Sequence, residues 1–106
     1  MDGYQITFFT HQGRRHDGKQ IGEWLLDLVK ELGLLGASLH LGGEGFSRGG
    51  PVHSAHFFEL ADQPVEVLVA VTSEQSVRLF ERLRAEQVHL FYVKTQVEFG
   101  VLGVDA

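Results

Sequence analysis

The 106-residue sequence predicts an α+β sandwich, one antiparallel sheet with both of its helices packed on a single face. Three observations predict it. Four segments carry the two-residue alternation of strands. Two carry the three- and four-residue steps of amphipathic helices. Their order, strand, helix, strand, strand, helix, strand, repeats one strand–helix–strand unit twice. A chain of this length makes one domain, residues 1–106, with a single modest core.

"YQITFFT", Tyr4 to Thr10, opens the chain's organised part. Tyr4, Ile6 and Phe8 fall on one face and Gln5, Thr7 and Phe9 on the other, so a strand is predicted. "HQGRRHDGKQ", His11 to Gln20, is polar and marked by glycine, which reads as a loop. In "IGEWLLDLVKELG", Ile21, Leu25, Leu28 and Leu32 form a helical stripe flanked by Trp24 and Val29. Gly33 is placed to stop that helix. "ASLHL" alternates again, with Ala37, Leu39 and Leu41 opposite Ser38 and His40.

A glycine-rich stretch interrupts, and "HSAHFFEL", His53 to Leu60, resumes an extended pattern. "ADQP" is a turn, since Pro64 pushes its predecessor toward extended geometry. "VEVLVAVT", Val65 to Thr72, is the strongest strand pattern. Thr72 and Gln75 have capping-box spacing for a second helix, with Val77, Phe80 and Leu83 as its apolar stripe. "VHLFYVKTQV", Val88 to Val97, is the last strand. Two similar halves in this order describe a ferredoxin-like βαββαβ sandwich.

The strands are apolar on both sides: Leu68 and Ala70 alternate with Val67 and Val69, and Phe8 adjoins Phe9. Two helices cover one face only, and a sheet apolar on both faces is covered on both. A homo-oligomer that buries the second face is therefore expected.

Composition narrows the function. The formal charge of -5 argues against a nucleic-acid binder, which would carry a basic surplus. With no cysteine, disulfides, thiolate chemistry and cysteine-based zinc sites are excluded. No stretch nears the roughly 20 apolar residues that span a bilayer. The first ten residues lack the basic and apolar regions of a signal peptide, so a cytoplasmic location is expected.

Five of the nine residues from Gly42 to Gly50 are glycine. Glycine permits positive φ and close approach of backbone to a ligand, and successive exposed amides form an anion-binding nest. Read functionally, Gly43, Glu44, Gly45 and Phe46 cradle a phosphate, with Phe46 beside a base. Read structurally, the stretch is only a flexible hairpin connection, and its spacing matches neither a P-loop nor a dinucleotide fingerprint. Arg14, Arg15 and Lys19 precede a helix N-terminus, where cations and amide dipoles both favour phosphate. The alternative is an ordinary solvated loop.

Six histidines are present. His53 and His56 are weak metal candidates, because a three-residue step puts them on opposite faces of a strand. No metal centre is expected. Catalysis is not expected either. Ser47 and Ser54 have histidines nearby in sequence but no nucleophile-elbow motif, and Glu59, Asp62 and Glu66 have no distinctive spacing.

These residues carry a family likeness. "GLLGASLHLGGEGFSRGG", Gly33 to Gly50, resembles the passage in PII-type signal proteins where the second strand enters the mobile T-loop. Gly33, Gly36 and Ala37, then Gly42, Gly45 and Phe46, carry the match. "DQPVEVLVAVT", Asp62 to Thr72, looks like the strand by which that loop returns. "HDGK", His16 to Lys19, looks like the PII-like branch known as domain of unknown function 190. The likeness covers almost the whole chain.

The resemblance implies a trimer with its sheets facing inward and a T-loop-like segment at about 43–63. It implies a regulatory protein, not an enzyme, that binds an adenine nucleotide in the clefts between subunits and acts on a partner through the loop. Gln63 and Pro64, where the loop returns, complete the expected nucleotide-binding set. Three departures refine the expectation. The segment from Gly42 to Gln63 has no tyrosine, so uridylylation of the PII kind is not expected. Gly49 follows Arg48 where true PII proteins have a glutamine that helps hold 2-oxoglutarate. "RAEQVH", Arg84 to His89, lacks the glycine and lysine that hold phosphates before the last strand. AMP or ADP, or a cyclic nucleotide, is thus expected rather than a triphosphate. Two other readings stand beside this one: a metal- or anion-responsive trimer similar to copper-tolerance relatives, and an interaction module for a membrane ion carrier.

Overall fold

The computed structural model describes residues 1–42, 44–45, 53–54 and 63–103. The elements in chain order are β1 (Asp2–His11), β2 (Arg15–His16), β3 (Lys19–Gln20), α1 (Ile21–Glu31), β4 (Ala37–Leu41), β5 (Glu44–Gly45), β6 (His53–Ser54), β7 (Pro64–Thr72), α2 (Ser73–Ala85) and β8 (Phe91–Glu98). The main sheet is antiparallel in the order β4-β7-β1-β8. This is the expected α+β, ferredoxin-like arrangement, with the two central strands coming one from each half.

Register explains the core. Tyr4, Ile6 and Phe8 lie opposite Val71, Val69 and Val67. Val65, Val67, Val69 and Val71, with Ile6 and Phe8, are buried against Leu25, Leu28 and Val29 of α1 and Leu79 and Leu83 of α2. Leu39 of β4 shares that face, paired with Val67. The other face is different. Phe9 pairs with Phe91 across β1 and β8, their rings 5.5 Å apart. Phe91 is 47% exposed and Val93 46%. Thr7 stands between Val93 and Leu68 in the same layer. This face carries apolar side chains that stay exposed among the described residues.

Helix ends follow local sequence. Thr72 accepts from the Gln75 N–H while the Gln75 side chain accepts from the Thr72 N–H, which is the expected capping box. Gly33 ends α1 at φ +70°, with Leu34 N–H donating to Val29 O and Gly33 N–H to Lys30 O. That is a Schellman closure.

Three expectations change in detail. Residues 11–20 are not a plain loop but contain the β2–β3 hairpin, turned by Asp17 and Gly18 at φ +50° and +78°. Both central residues in the left-handed region suit an Asp-Gly hairpin turn. Val77 is 57% exposed and does not belong to the buried stripe of α2, which runs through Ser76, Leu79 and Leu83. Val77 stands about 100° around the helix from Ser76, which carries it off the sheet-facing side. β8 begins at Phe91, not Val88, because Val88 N–H closes the end of α2 on Leu83 O. Of "HSAHFFEL", only His53 and Ser54 are among the described residues, and they are extended.

Candidate functional site

A cleft of about 740 Å³ opens where the end of β1 meets the segment entering β8. Thr10 and His11 line one wall, and His89, Phe91 and Tyr92 line the other. The chain is steered there from both sides. Arg14 N–H donates to His11 O at 3.2 Å, turning the backbone after β1. Arg14 O then accepts from the N–H of Ile21 at 2.8 Å, tying the turn to the first residue of α1. On the other wall, α2 ends in a second Schellman closure, with Gln87 at φ +57°. That closure delivers Val88 to Tyr92 to the cleft.

Arg14 is the cation of this cleft. Its side chain is half-buried and has no acidic partner among the described residues. Burial pushes its guanidinium below the ordinary value, since the charged form loses water. Thr10 Oγ1 lines the cleft too, buried and without a hydrogen-bond partner among the described residues. A half-buried cation and a buried hydroxyl, both without a partner among the described residues, are the two groups an anionic, hydrogen-bonding ligand would satisfy. Phe91 and Tyr92 add aromatic surface.

The other expected site residues are spread around this centre. Glu44 and Gly45 pair with Ser54 and His53 in the β5–β6 ribbon. Gly43 and Phe46 lie outside the described residues, as do His56, Ser47, Glu59 and Asp62. Gln63 O accepts from the N–H of Gln12 at 2.9 Å, and Pro64 O from that of Gly42 at 2.7 Å. The loop's return is thereby fastened to the ends of β1 and β4. Gln63 Oε1 is a second buried oxygen with no partner among the described residues.

The three cations do not converge. Arg15 is exposed, and its Nη2 donates to Gly18 O at 2.6 Å within the hairpin. Lys19 pairs with Asp27 at 2.7 Å. It lines a separate groove of about 610 Å³ bordered by α1 and Leu34 to Ala37.

Sequence reasoning did not single out His89, Thr10 or the aromatic pair of β8. His89 and Phe91 looked like strand residues, and no local spacing reveals that two segments nearly 80 positions apart share a cleft.

The fold is that of the PII-like proteins. The sequence matches the family described as Uncharacterized ACR (DUF190) over residues 3–98, and the chain belongs to it. That is the DUF190 branch that "HDGK", His16 to Lys19, suggested. No curated protein matches the chain.

Among solved structures it is similar to a PII-like signaling protein from Thermus thermophilus, at 16% identity and TM-score 0.61, over 91% of this chain and 85% of that one. It is also similar to CPII, a nitrogen regulatory PII-like protein from Thiomonas intermedia bound to ADP, AMP and bicarbonate. There the identity is 19% and the TM-score 0.62, over 92% and 89% of the two chains. The apo form of CPII aligns at 17% identity and TM-score 0.53, over 92% of each chain. At these identities the likeness is one of fold. Among the described residues no helix is long and apolar enough to cross a membrane.

Proposed function

We propose that this chain is a regulatory protein, not an enzyme, that binds AMP or ADP between the subunits of a homotrimer and signals through the loop at 43–63. The observation that carries the reading is Arg14, a half-buried cation beside the Thr10 hydroxyl in a cleft of about 740 Å³, neither with a partner among the described residues. That volume lies within the range of small-molecule sites. CPII, which shares the fold, binds ADP and AMP. In this reading Glu44 and Gly45 bring the loop base toward the ligand, with Gly43 and Phe46. Gln63 and Pro64 transmit its state to β7, and Arg15 and Lys19 reinforce the positive approach.

The trimer is supported by the open sheet face, where Phe91 and Val93 are nearly half exposed. Covering them by two further copies would contribute the apolar burial that a single chain lacks. The partner that reads the loop is a protein, and a membrane ion carrier is the class the family resemblance implies.

Calorimetric titration with AMP, ADP, ATP and cyclic AMP tests the reading. Heat with AMP or ADP is expected. Arg14→Gln should weaken it roughly tenfold or more, the loss of one charge-assisted hydrogen bond. Arg15→Ala should weaken it less, because that cation already serves Gly18 O. Absence of heat and of any thermal shift with all four nucleotides at millimolar concentration would sink the proposal. Light scattering should give three chains per particle, and Val93→Asp should dissociate them. Deleting Gly43 to Gly50 should abolish capture of the partner and leave the trimer intact.

A further inference from the structure

We propose that His16, Asp17 and Glu86 form a site for a first-row divalent metal ion, zinc or manganese, at the junction of the β2–β3 hairpin and the end of α2. The three side chains each offer one donor atom, and these atoms lie within 4.8 Å of one another. His16 Nε2 is 3.1 Å from Glu86 Oε1 and 3.7 Å from Asp17 Oδ2. Metal–nitrogen and metal–oxygen bonds of about 2.0–2.2 Å put neighbouring donors roughly 3.0–3.6 Å apart, so the His16–Glu86 separation lies inside that range and the His16–Asp17 separation just beyond it. The Asp17–Glu86 edge is within 4.8 Å, and both edges that Asp17 makes can close because Asp17 sits exposed at the hairpin tip.

A simple ion pair does not account for the cluster. One imidazole nitrogen donates one proton, yet it faces two carboxylates. Glu86 is engaged on its other oxygen by Arg82 at 3.6 Å, and Arg82 is shared with Glu31 at 3.2 Å. Asp17 and Glu86 beside His16, with Glu31 on Arg82, set three carboxylates against one permanent cation. With the imidazole neutral the group carries a surplus of two negative charges, which a divalent ion would neutralise.

The donors are also held in place. The Trp24 ring meets the His16 ring edge-on, centroids 4.4 Å apart. Arg82 fixes the Glu86 carboxylate from the side away from His16. Such support around the ligands is what orients them for a metal. One imidazole with two carboxylates selects borderline first-row ions over calcium or magnesium. The remaining positions would be filled by water.

The location gives the ion a structural task. His16 is two residues after Arg14, and Glu86 two before Val88. A bound ion would clamp together the hairpin and the helix end from which the two walls of the cleft depart.

The test uses Trp24, the chain's single tryptophan, as the reporter. Chelator-stripped full-length protein is titrated with Zn²⁺, Mn²⁺, Mg²⁺ and Ca²⁺. A saturable fluorescence change at one ion per chain with Zn²⁺ or Mn²⁺ is expected. Asp17→Asn, at an exposed position, should weaken it about tenfold or more. His16→Gln should remove it, and a His53→Gln/His56→Gln double variant should leave it intact. No saturable response to Zn²⁺ and Mn²⁺ overturns the proposal. So does an unchanged response in Asp17→Asn, or tighter binding of Ca²⁺ than of Zn²⁺. If His16→Gln does not fold, the Asp17→Asn result decides.

Discussion

The first half, β1–α1–β4, enters its helix through the β2–β3 hairpin and leaves it through Gly33. The second half, β7–α2–β8, enters directly from its strand through Thr72 and leaves through Gln87. The central plan is the same: a buried central strand, an amphipathic helix and an edge strand. The differences lie at the helix ends, and the candidate chemistry lies there too. The inserted hairpin carries Arg14 and His16, and the second helix's exit carries Glu86 and His89. These two departures face each other across the molecule through the His16–Glu86 contact. Where the halves agree they make a core, and where they disagree they make a site.

The largest expected effect tests how tightly the common plan is built. A Cβ at Gly3 would overlap the Val71 carbonyl and come within 2.9 Å of the Phe99 ring and of the Thr72 Cα. Backbone cannot yield there as a side chain can. Gly3→Ala should cost about 3 kcal/mol in urea unfolding at fixed protein concentration. A Cβ at Gly22 would instead meet Leu39 Cδ1 at 2.8 Å, the end of a flexible side chain. Gly22→Ala should cost under about 1 kcal/mol, since alanine's helix propensity offsets part of the strain. Equal losses would mean that Leu39 is as fixed as the backbone.

The helix entrances differ next. Thr72→Ala removes the capping box and should cost about 1 kcal/mol. Gln20, the residue before α1, makes no side-chain cap bond. Gln20→Ala should therefore change stability by no more than about 0.3 kcal/mol. A comparable loss at both positions would break the contrast between the two entrances.

The helix exits reverse the advantage. Gly33 adopts the left-handed φ that its closure needs without strain. Gln87 adopts a similar φ as a non-glycine residue. Gly33→Ala should destabilise by about 1 kcal/mol, and Gln87→Gly should stabilise by about 0.5 kcal/mol. If Gln87→Gly stabilises the fold yet weakens nucleotide binding, the strained exit is kept for the cleft it shapes.

Much of this was legible in the sequence because it is local. The alternation in Val65 to Thr72 specified a central strand, Thr72 and Gln75 specified a cap, and Gly33 specified a stop. The hairpin at 15–20 was less legible. Asp17-Gly18 signals a turn, but its strands are two residues each and polar, so no alternation marks them. Val77 misled because it is apolar at a plausible step, while Ser76, small enough to lie under the sheet, holds the buried position. The cleft and the His16–Glu86 contact were not legible at all. They join residues 70 or more apart, and pairing at that range is decided by topology rather than by spacing. Glu44 and Gly45 were expected as a loop base only through the family likeness, since five glycines in nine residues fit a simple connection equally well.

The smallest expected effect lies where the hairpin grips its own helix. Lys19 of β3 donates to Asp27 of α1 at 2.7 Å, and both side chains are more than half exposed. The Lys19 hydrogen bond, then its charge, lowers the Asp27 carboxyl below the ordinary carboxylate value, and the same contact raises Lys19. A carboxyl lowered on folding contributes stability above its ordinary value, and that contribution is lost as pH falls through the folded value. A raised lysine contributes below its ordinary value and loses that as pH climbs through the folded one. Exposed pairs are weak and screened by salt, so unfolding curves will not resolve this one. Side-chain carboxyl NMR will. Asp27 should titrate below the ordinary range, move up in Lys19→Gln, and move partway up in molar salt. An Asp27 that titrates at the ordinary value in the unaltered protein would mean that the hairpin is held to α1 by its backbone and by the edge-on contact of Trp24 with His16. In that case the second half's helix end, through Glu86, is what fixes the first half's hairpin.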